Sequence, residues 1–434
     1  MEELLNRAGK VCEGAEVFSV ASRSTEAHFE ANRLKRVQTK ESAGSALRII
    51  KDGRIGFAAT SKVGAEKDLL EMALEMAPFG TRARFEFPGG VTYGSVPVFD
   101  PAVESLSEES MVELGQSLID RVRSAEPDLV CEATVSRSIS EIEIRNSAGG
   151  EARYRKSIFS ISIEGVLVRG TDMFFVGDFD SSCHPIAAAG PLARSVMEQL
   201  ERGREIAPPP LGRMPVIFTP HGVASALLSP LAIAFNGKMV LRGASPLGHR
   251  RGEQVFAPQF SLWDDGTIAF CPAASICDDE GIPTQRTSLV SHGIVENFLY
   301  DLQTAAEAGT QSTGNASRSV GSLPTPSMTA LIIGEGETPF EDMLANIREG
   351  LVVEQVMGAT QGNILGGDFS GNVLLGYKVE RGRIVGRVKD TMISGNVYEI
   401  LKDGVIIGAD SRWLGGSIRT PSIYCPAVAV AAKG

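Results

Sequence analysis

The stretch from Gly44 to Ser61, GSALRIIKDGRIGFAATS, contains two β-rich runs around a tight turn. Ser45 to Lys51 and Arg54 to Thr60 carry mostly apolar and branched residues, and the dipeptide Asp52-Gly53 joins them. An Asp-Gly pair between two such runs favours a two-residue turn with positive φ, which is the strongest short-range signal of a β-hairpin. The pattern predicts an antiparallel hairpin near the N-terminus.

Apolar residues at helical spacing flank this hairpin. They predict helices over residues 2–13 and Ala65 to Ala77, and two more over Ser107 to Ser124 and Ala188 to Arg202. Between the last two, Leu129 to Val176 alternates polar and apolar residues, as an antiparallel meander with one solvated face does. The predicted fold class is therefore α+β, with antiparallel hairpins flanked by helices in the N-terminal region.

Pro208-Pro209-Pro210 marks the clearest linker, at residues 203–213, because three prolines stiffen the backbone and cannot continue a helix. Residues 1–105 and 106–207 are predicted as two α+β units before it, and 214–434 as a larger β-dominated domain after it. In that domain Gly-rich turns interrupt short strand-like runs. The predicted strands are Pro215 to Thr219, Ser327 to Ile333, Val373 to Glu380 and Arg383 to Val388, and the predicted helix is Pro339 to Glu349.

Composition excludes several classes of protein. The 434 residues suffice for two or three domains, and the net charge of −11 repels a phosphate backbone, so no nucleic-acid partner is expected. The N-terminus MEELLNRAGK lacks an apolar signal core, and no apolar run reaches the ~18 residues that cross a membrane. The six cysteines match no zinc or redox spacing and indicate reduced thiols. We expect a cytoplasmic protein with no membrane partner.

Residue patterns for hydrolytic chemistry are sparse. The five histidines are isolated, no HExxH or HExxxH occurs, and each histidine is interpreted as structural. No Gly-x-Ser-x-Gly elbow is present. Cys277 precedes Asp278-Asp279-Glu280, whose carboxylates would raise the pKa of the thiol and make it a poor nucleophile. The sequence therefore predicts no catalytic residue.

The densest carboxylate group is the turn Asp278 to Gly281. Paired carboxylates serve as metal ligands or as an acid and a base, and an exposed turn that ends in glycine explains them equally well. The Gly-rich turns Ser312 to Ala316 and Gly366 to Gly371 present backbone N–H groups to an anion or simply reverse the chain. Both interpretations stay open for each turn.

Seven short segments, taken in order, resemble the TldD/PmbA family, also called the modulator-of-DNA-gyrase family. Each segment is short, and their common order along the chain carries the resemblance. The segments are Gly44 to Ser61, Asp279-Glu280-Gly281, Thr313-Gly314-Asn315, Gly350-Leu351-Val352-Val353, Gly367-Asp368-Phe369-Ser370, Ile393-Ser394-Gly395-Asn396 and Arg419-Thr420-Pro421-Ser422.

This resemblance implies a cytosolic α+β protein that belongs to a peptidase complex acting on unfolded peptides. The TldD branch holds zinc with HExxxH, on a helix after the first strand of the C-terminal domain, and with a cysteine near the C-terminus. The PmbA branch, also called TldE, lacks these ligands and pairs with the catalytic subunit. Here Gly222 through Gly248 contains no His, Glu, Asp or Cys, and Cys425 matches no ligand position. The resemblance therefore places the chain on the PmbA side.

On this basis we expect a subunit without catalytic residues or a metal of its own, with zinc in a TldD-like partner. The partner is that catalytic subunit, in a heterodimer, or a second copy, in a homodimer, and the substrate is an unfolded peptide. The predicted substrate or partner surface consists of Asp279, Glu280, Asn315, Asp368 and Asn396.

Two alternatives come from other functional classes. One is a stand-alone peptide-binding homodimer with no hydrolytic partner. The other is a hydrolase with a relocated site, in which Asp279, Glu280 or Asp368 would hold an oxygen-liganded metal.

Overall fold

The computed structural model describes residues 1–62, 64 and 68–432. Residues 65–67, where one predicted helix was expected to begin, lie outside the described residues, and the helix as described begins at Leu69. The elements before the linker are α1 (Glu2–Ala8), β1 (Gly14–Glu30), β2 (Arg33–Lys51), β3 (Arg54–Thr60), α2 (Leu69–Met76), α3 (Pro101–Ser105), α4 (Glu108–Ala125), β4 (Val130–Asn146), β5 (Glu151–Arg169), β6 (Asp172–Ser182) and α5 (Gly190–Arg202).

The six strands form one antiparallel sheet in the order β3-β2-β1-β4-β5-β6. The predicted hairpin is confirmed: Lys51 pairs with Arg54, and the two residues between them, Asp52 and Gly53, have φ of 50° and 68°. Positive φ at both positions gives a turn whose twist matches the twist of the paired strands. The meander over β4, β5 and β6 is confirmed as well, and this single sheet takes strands from both predicted N-terminal units.

Helices pack on one face of the six-stranded sheet, with α1 and α2 near the start of β1 and α4 near its end. On β1, Val17 packs with α1 and α2, and Ala27 and Phe29 pack with α4. These three residues lie on one face because successive side chains of a strand alternate between faces.

Among the described residues, none of the helices has the length and apolar character of a membrane span.

The C-terminal domain is mostly β-structure, as predicted. Its helices are α6 (Pro220–Ala226), α7 (Leu228–Ala234), α8 (Gly237–Leu241), α9 (Leu302–Ala308), α10 (Phe340–Ala345) and α11 (Val397–Ile400). Its strands are β7 (Gly212–Phe218), β8 (Leu262–Asp265), β9 (Arg286–Ser291), β10 (Ile294–Val295), β11 (Ala316–Ser317), β12 (Thr325–Pro326), β13 (Leu331–Ile333), β14 (Glu349–Met357), β15 (Asp368–Glu380), β16 (Arg383–Arg387), β17 (Thr391–Asn396), β18 (Ile406–Ile407), β19 (Arg412–Leu414), β20 (Ile418–Thr420) and β21 (Ile423–Ala432).

These strands form two main sheets. The larger has the order β14-β7-β21-β17-β15-β16, with β18 added on β21, and it closes on itself because β15 also pairs with β14. The second has the order β10-β9-β8-β13-β20-β19. The largest apolar core of the chain, which includes Phe218, Phe235 and Phe369, lies in this domain.

Several predicted boundaries were wrong, and three of them lie where the chain turns to contacts with distant residues. The first helix stops at Ala8, since Glu13 N already donates to Ile50 O beside the sheet. The helix predicted to reach Glu349 ends at Ala345, and Glu349 begins β14. The strand predicted from Ser327 begins at Leu331, because Thr329 N donates to the Asp264 carboxylate instead of to a neighbouring strand.

Candidate functional site

The helix α6 begins directly after β7, the first strand of the C-terminal domain. Thr219 caps this helix: its Oγ1 accepts a hydrogen bond from Gly222 N at 3.3 Å. Pro220 occupies the first helical position. A backbone N–H there has no acceptor within the helix, so proline costs no hydrogen bond. These local features fix His221 in the first turn, at the carboxyl end of β7.

His221 reaches across to the six-stranded sheet. Its Nε2 lies 3.0 Å from Oδ1 of Asp178 on β6, and Arg412 of β19 donates to both oxygens of that carboxylate at 3.1 and 2.9 Å. At the start of α6, Thr219 Oγ1 donates to Glu354 Oε2 of β14 at 2.9 Å. We call these five residues, Asp178, Thr219, His221, Glu354 and Arg412, the junction cluster, because they join the N-terminal sheet to the C-terminal domain.

The pKa values of the two acids of the junction cluster are shifted in opposite directions. Burial alone would raise the pKa of Asp178, but the hydrogen bond and charge of His221 and the charge of Arg412 outweigh it and hold that pKa well below its usual range. For Glu354 burial dominates and raises the pKa, against the hydrogen bond from Thr219. Asp178 is thus the ionised partner of His221 and Arg412, and Glu354 is the acid that holds a proton more readily.

The junction cluster is partly open. Phe179 is exposed, with its ring centroid 5.9 Å from that of His221, and the Arg412 side chain is also accessible. Ser225 lies one turn further along α6. Its hydroxyl is hydrogen-bonded to the backbone, since it donates to Gly222 O and accepts from Val356 N. Ser225 is therefore not a nucleophile activated by His221. An imidazole, a guanidinium and an aromatic ring instead form a surface suited to holding a ligand.

The acidic turn lies in the interior, between the N-terminal sheet and the C-terminal domain. Arg48 of β2 donates to Glu280 Oε1 at 2.5 Å and to Glu16 at 3.1 Å, and Arg318 contacts Glu16 at 2.8 Å. We call Glu16, Arg48, Asp279, Glu280 and Arg318 the turn cluster. Glu280 was predicted on a substrate or partner surface, but it is fully buried, because Arg48 and Leu302 N use both of its oxygens.

Asp279 and Asn315 lie beside Glu280. Asp279 accepts from Arg318 N at 2.8 Å, and burial raises its pKa. Asn315 is buried, not on a surface, because its amide donates to Asp264 at 2.7 Å and to Ser327 O at 3.1 Å. The structure thus brings three of the five predicted site residues together.

The other two predicted residues form a separate pair on the larger C-terminal sheet. Asp368 of β15 faces Asn396 of β17, and Asn396 Nδ2 donates to Asp368 Oδ1 at 2.8 Å. Asn396 also caps α11 by accepting from Tyr398 N at 3.1 Å. Asp368 is exposed, so its place on a substrate or partner surface stays a prediction.

Within residues 1–62, 64 and 68–432, no group of three or more His, Cys, Asp or Glu side chains is arranged to hold a metal ion. The prediction for Cys277 is confirmed, because burial and then the charges of Asp278 and Asp279 raise the pKa of its thiol. Burial also raises the pKa of Cys425. Both thiols are therefore poor sources of thiolate.

Sequence reasoning missed the junction cluster. His221 was interpreted as an isolated structural histidine, and Asp178, Glu354 and Arg412 were not singled out. One local signal was available, since Thr219-Pro220 is a helix start and His221 directly follows it at the end of a predicted strand. The partners of His221 come from distant parts of the chain, where no spacing pattern connects them.

Comparison with known proteins identifies the family to which this chain belongs. Models of the PmbA/TldA metallopeptidase match in three parts: domain 1 over residues 15–77, the central domain over 101–203 and the C-terminal domain over 211–432. This chain belongs to the PmbA/TldD metallopeptidase family.

Several relatives span nearly the whole chain. An uncharacterized protein of Methanocaldococcus jannaschii is 27% identical over 98% of both chains. A metalloprotease of Methanothermobacter thermautotrophicus is 26% identical over 92% of this chain and 89% of its own length. The crystal structure of TldE from Thermococcus kodakarensis superposes with a TM-score of 0.88 at 25% identity over 99% of both chains. The α+β fold found here is thus that of a PmbA/TldD protein.

Proposed function

We propose that this chain is the PmbA/TldE-like, non-catalytic subunit of a cytoplasmic TldD/PmbA peptidase that acts on unfolded peptides. The observation that carries the proposal is the packing of α6. A TldD-like partner supplies the zinc, and this chain contributes the subunit interface and part of the peptide-binding surface. Its similarity along the whole chain to a protein named TldE supports the same assignment.

The first turn of α6 has no room for the motif that holds zinc in the TldD branch. If the HExxxH motif began at His221, its glutamate would replace Gly222 and its second histidine would replace Ala226. A Cβ atom at Gly222 would lie 2.1 Å from Val353 O, a distance that the backbone of β14 forbids. Ala226 is buried in the apolar core beneath the helix. The glutamate would push α6 away from β14, and the histidine would overfill the apolar core.

The remaining polar groups do not fit zinc. His221 directs Nε2 at Asp178, and Arg412 shares the same carboxylate. A zinc ion would replace the Arg412 contact and would still need one or two more His, Cys, Asp or Glu ligands, because catalytic sites use three protein ligands and structural sites use four. No step of peptide hydrolysis is therefore assigned to this chain.

The junction cluster supports a role in peptide binding. His221, Arg412 and Phe179 are accessible together at the edge of β6, and they suit the carbonyl, carboxylate and aromatic groups of an unfolded peptide. Asp178 fixes the orientation of the His221 and Arg412 side chains. In a complex, this surface would continue the partner's peptide channel.

The test is cleavage of an unfolded, fluorescently labelled peptide by the purified chain, by an HExxxH-bearing homologue, and by their mixture, each with and without a chelator. We expect chelator-sensitive cleavage that is fastest in the mixture and no cleavage by this chain alone. Replacing His221 by Ala should slow the mixture without dissociating it, and His249→Ala, at an exposed loop, is the matched control.

Metal-dependent cleavage by this chain alone would contradict the proposal. A mixture no faster than the homologue alone, together with direct peptide binding by this chain, would favour the stand-alone peptide-binding homodimer. The divalent-metal content of chain prepared without chelators tests the remaining alternative, since a relocated carboxylate site predicts one stoichiometric divalent ion.

A further inference from the structure

A cavity of about 360 Å³ lies beside the linker that precedes the C-terminal domain. It is lined by the last turns of α4 and α5, by the turn end of the β5–β6 hairpin, and by Arg387 of β16. A cavity of this size is in the range of small-molecule sites. No residue of the junction cluster or the turn cluster lines it, so it is a separate place in the molecule.

The buried polar group of this cavity is the guanidinium of Arg387, a residue that is only 6% exposed. It donates to the Asp172 carboxylate and lies 4.7 Å from the centroid of the Phe174 ring. Its Nε is buried and has no hydrogen-bond partner among the described residues. An unpaired buried donor costs free energy, and an acceptor within the cavity would remove that cost.

The charges around Arg387 favour an anionic acceptor. Asp172 also contacts Lys389 Nζ at 3.3 Å, so one carboxylate faces two cations and one positive charge remains. The backbone of Arg387 is held by the linker, because Arg387 N donates to Glu205 O at 2.8 Å and Ala207 N donates to Arg387 O at 2.9 Å. The guanidinium is therefore positioned before a ligand binds, and a carboxylate suits it.

The rim of the cavity adds one charge of each sign. Glu201 and Arg204 line it and are exposed, and neither side chain forms an ion pair or a hydrogen bond within residues 1–62, 64 and 68–432. The other acid of the rim, Glu126, is already bonded to Arg169 at 3.1 Å. A free acid and a free base at one opening match a ligand that carries both charges.

The remaining wall of the cavity is apolar. Leu167, Phe174 and Leu200 are buried there, and Met197 lies beside them. Methionine next to an aromatic ring adapts to side chains of different shape. This wall is unsuited to a sugar or a phosphate and suits a large aliphatic or aromatic side chain.

We propose that this cavity binds a free α-amino acid with a large apolar side chain. Its carboxylate binds Arg387 and Arg204, its ammonium group binds Glu201, and its side chain packs on the apolar wall. The site does not depend on the proposed peptidase function, because it lies within this chain and needs neither zinc nor a catalytic subunit.

The test is isothermal titration calorimetry of the full chain with L-phenylalanine, which should bind at one site per chain. Two derivatives each remove one charge of the ligand. L-Phenylalaninamide lacks the carboxylate and should bind about tenfold or more weaker, because Arg387 is buried. N-Acetyl-L-phenylalanine lacks the ammonium group and should bind about threefold weaker, because Glu201 is exposed.

Three variants locate the site. Ala125→Trp, at the exposed end of α4, blocks the cavity without changing the core and should abolish binding. Glu201→Gln should weaken L-phenylalanine about threefold and leave the affinity for the N-acetyl derivative unchanged. Glu113→Gln, an exposed acid of α4 away from the cavity, is the matched control and should change neither affinity. Melting curves verify that all variants are folded.

L-Phenylalanine that fails to bind at millimolar concentration overturns the proposal. Equal affinities for L-phenylalanine and both derivatives overturn it as well, because the ligand charges would then have no role. Binding that survives Ala125→Trp and is lost in His221→Ala would place the amino acid at the junction cluster and would also overturn it.

Discussion

The turn cluster and the junction cluster both join the N-terminal sheet to the C-terminal domain through buried acids, yet they differ in their contact with water. In the turn cluster Glu16, Arg48, Glu280 and Arg318 are fully enclosed, and each charge depends on its partners. In the junction cluster Asp178 is buried, but His221 and Arg412 reach the surface. The first arrangement is suited to holding two domains in place, and the second to meeting a ligand.

This difference separates stability from function in a testable way. Removing one partner of a fully buried ion pair leaves an uncompensated charge in the interior. Removing one partner of an accessible pair leaves a charge that water can solvate. Changes in the turn cluster should therefore unfold the chain, whereas changes in the junction cluster should mainly alter what it binds.

The largest effect is expected for Glu280→Ala. It leaves the Arg48 guanidinium with Glu16 alone and leaves Leu302 N without its acceptor. We expect the free energy of unfolding to fall by about 3–5 kcal/mol. Urea unfolding followed by circular dichroism measures it, and Glu253→Ala, at an exposed pair with Arg250, is the control. A loss no larger than that of the control would show that the turn cluster is not required for stability.

A pH effect of the order of 3 kcal/mol is expected from Asp264, which hydrogen-bonds Asn315 beside the turn cluster. Burial raises the pKa of Asp264 to about 6, above the value of 3.8 expected when the chain is unfolded. As pH rises, the unfolded chain loses this proton first, so stability decreases between about pH 4 and 6 and stays lower above that range.

Asp264→Asn removes this titration. The unfolding free energy of the wild type minus that of Asp264→Asn, measured at intervals from pH 4 to 7, should fall by about 3 kcal/mol as pH rises, whatever the variant loses at low pH. Parallel profiles would contradict the raised pKa of Asp264.

A smaller loss of stability is expected for Asp178→Ala. His221 and Arg412 keep access to water, so we expect about 1–3 kcal/mol, less than for Glu280→Ala. Peptide binding is measured by fluorescence anisotropy in the mixture with a TldD-like subunit. The loss of binding free energy should exceed the loss of unfolding free energy. Arg412→Ala should reproduce the binding defect. An Asp178→Ala variant as unstable as Glu280→Ala, with unchanged peptide binding, would make the two clusters equivalent.

The sequence predicts local structure well and these clusters poorly, for a physical reason. The turn at Asp52-Gly53 and the helix α4 depend on neighbouring residues, so their patterns are visible in the sequence. His221 and Arg412 meet Asp178 only after the sheet and the C-terminal domain have packed. Likewise, nothing in the turn Asp278 to Gly281 distinguishes exposed acids from acids enclosed by an arginine more than 200 residues away.

The smallest effect is expected at Asp368, the exposed residue of the predicted surface on the larger C-terminal sheet. Asp368→Ala removes one hydrogen bond from Asn396, which keeps its bond to Gly366 O and its cap on α11. We expect a loss of about 0.5–1.5 kcal/mol and unchanged peptide binding. Asn396→Ala, which removes the cap as well, should cost somewhat more. If Asp368→Ala abolished peptide binding at full stability, the peptide would lie along the larger C-terminal sheet, and the accessibility of the junction cluster would need another explanation, such as contact with the catalytic partner.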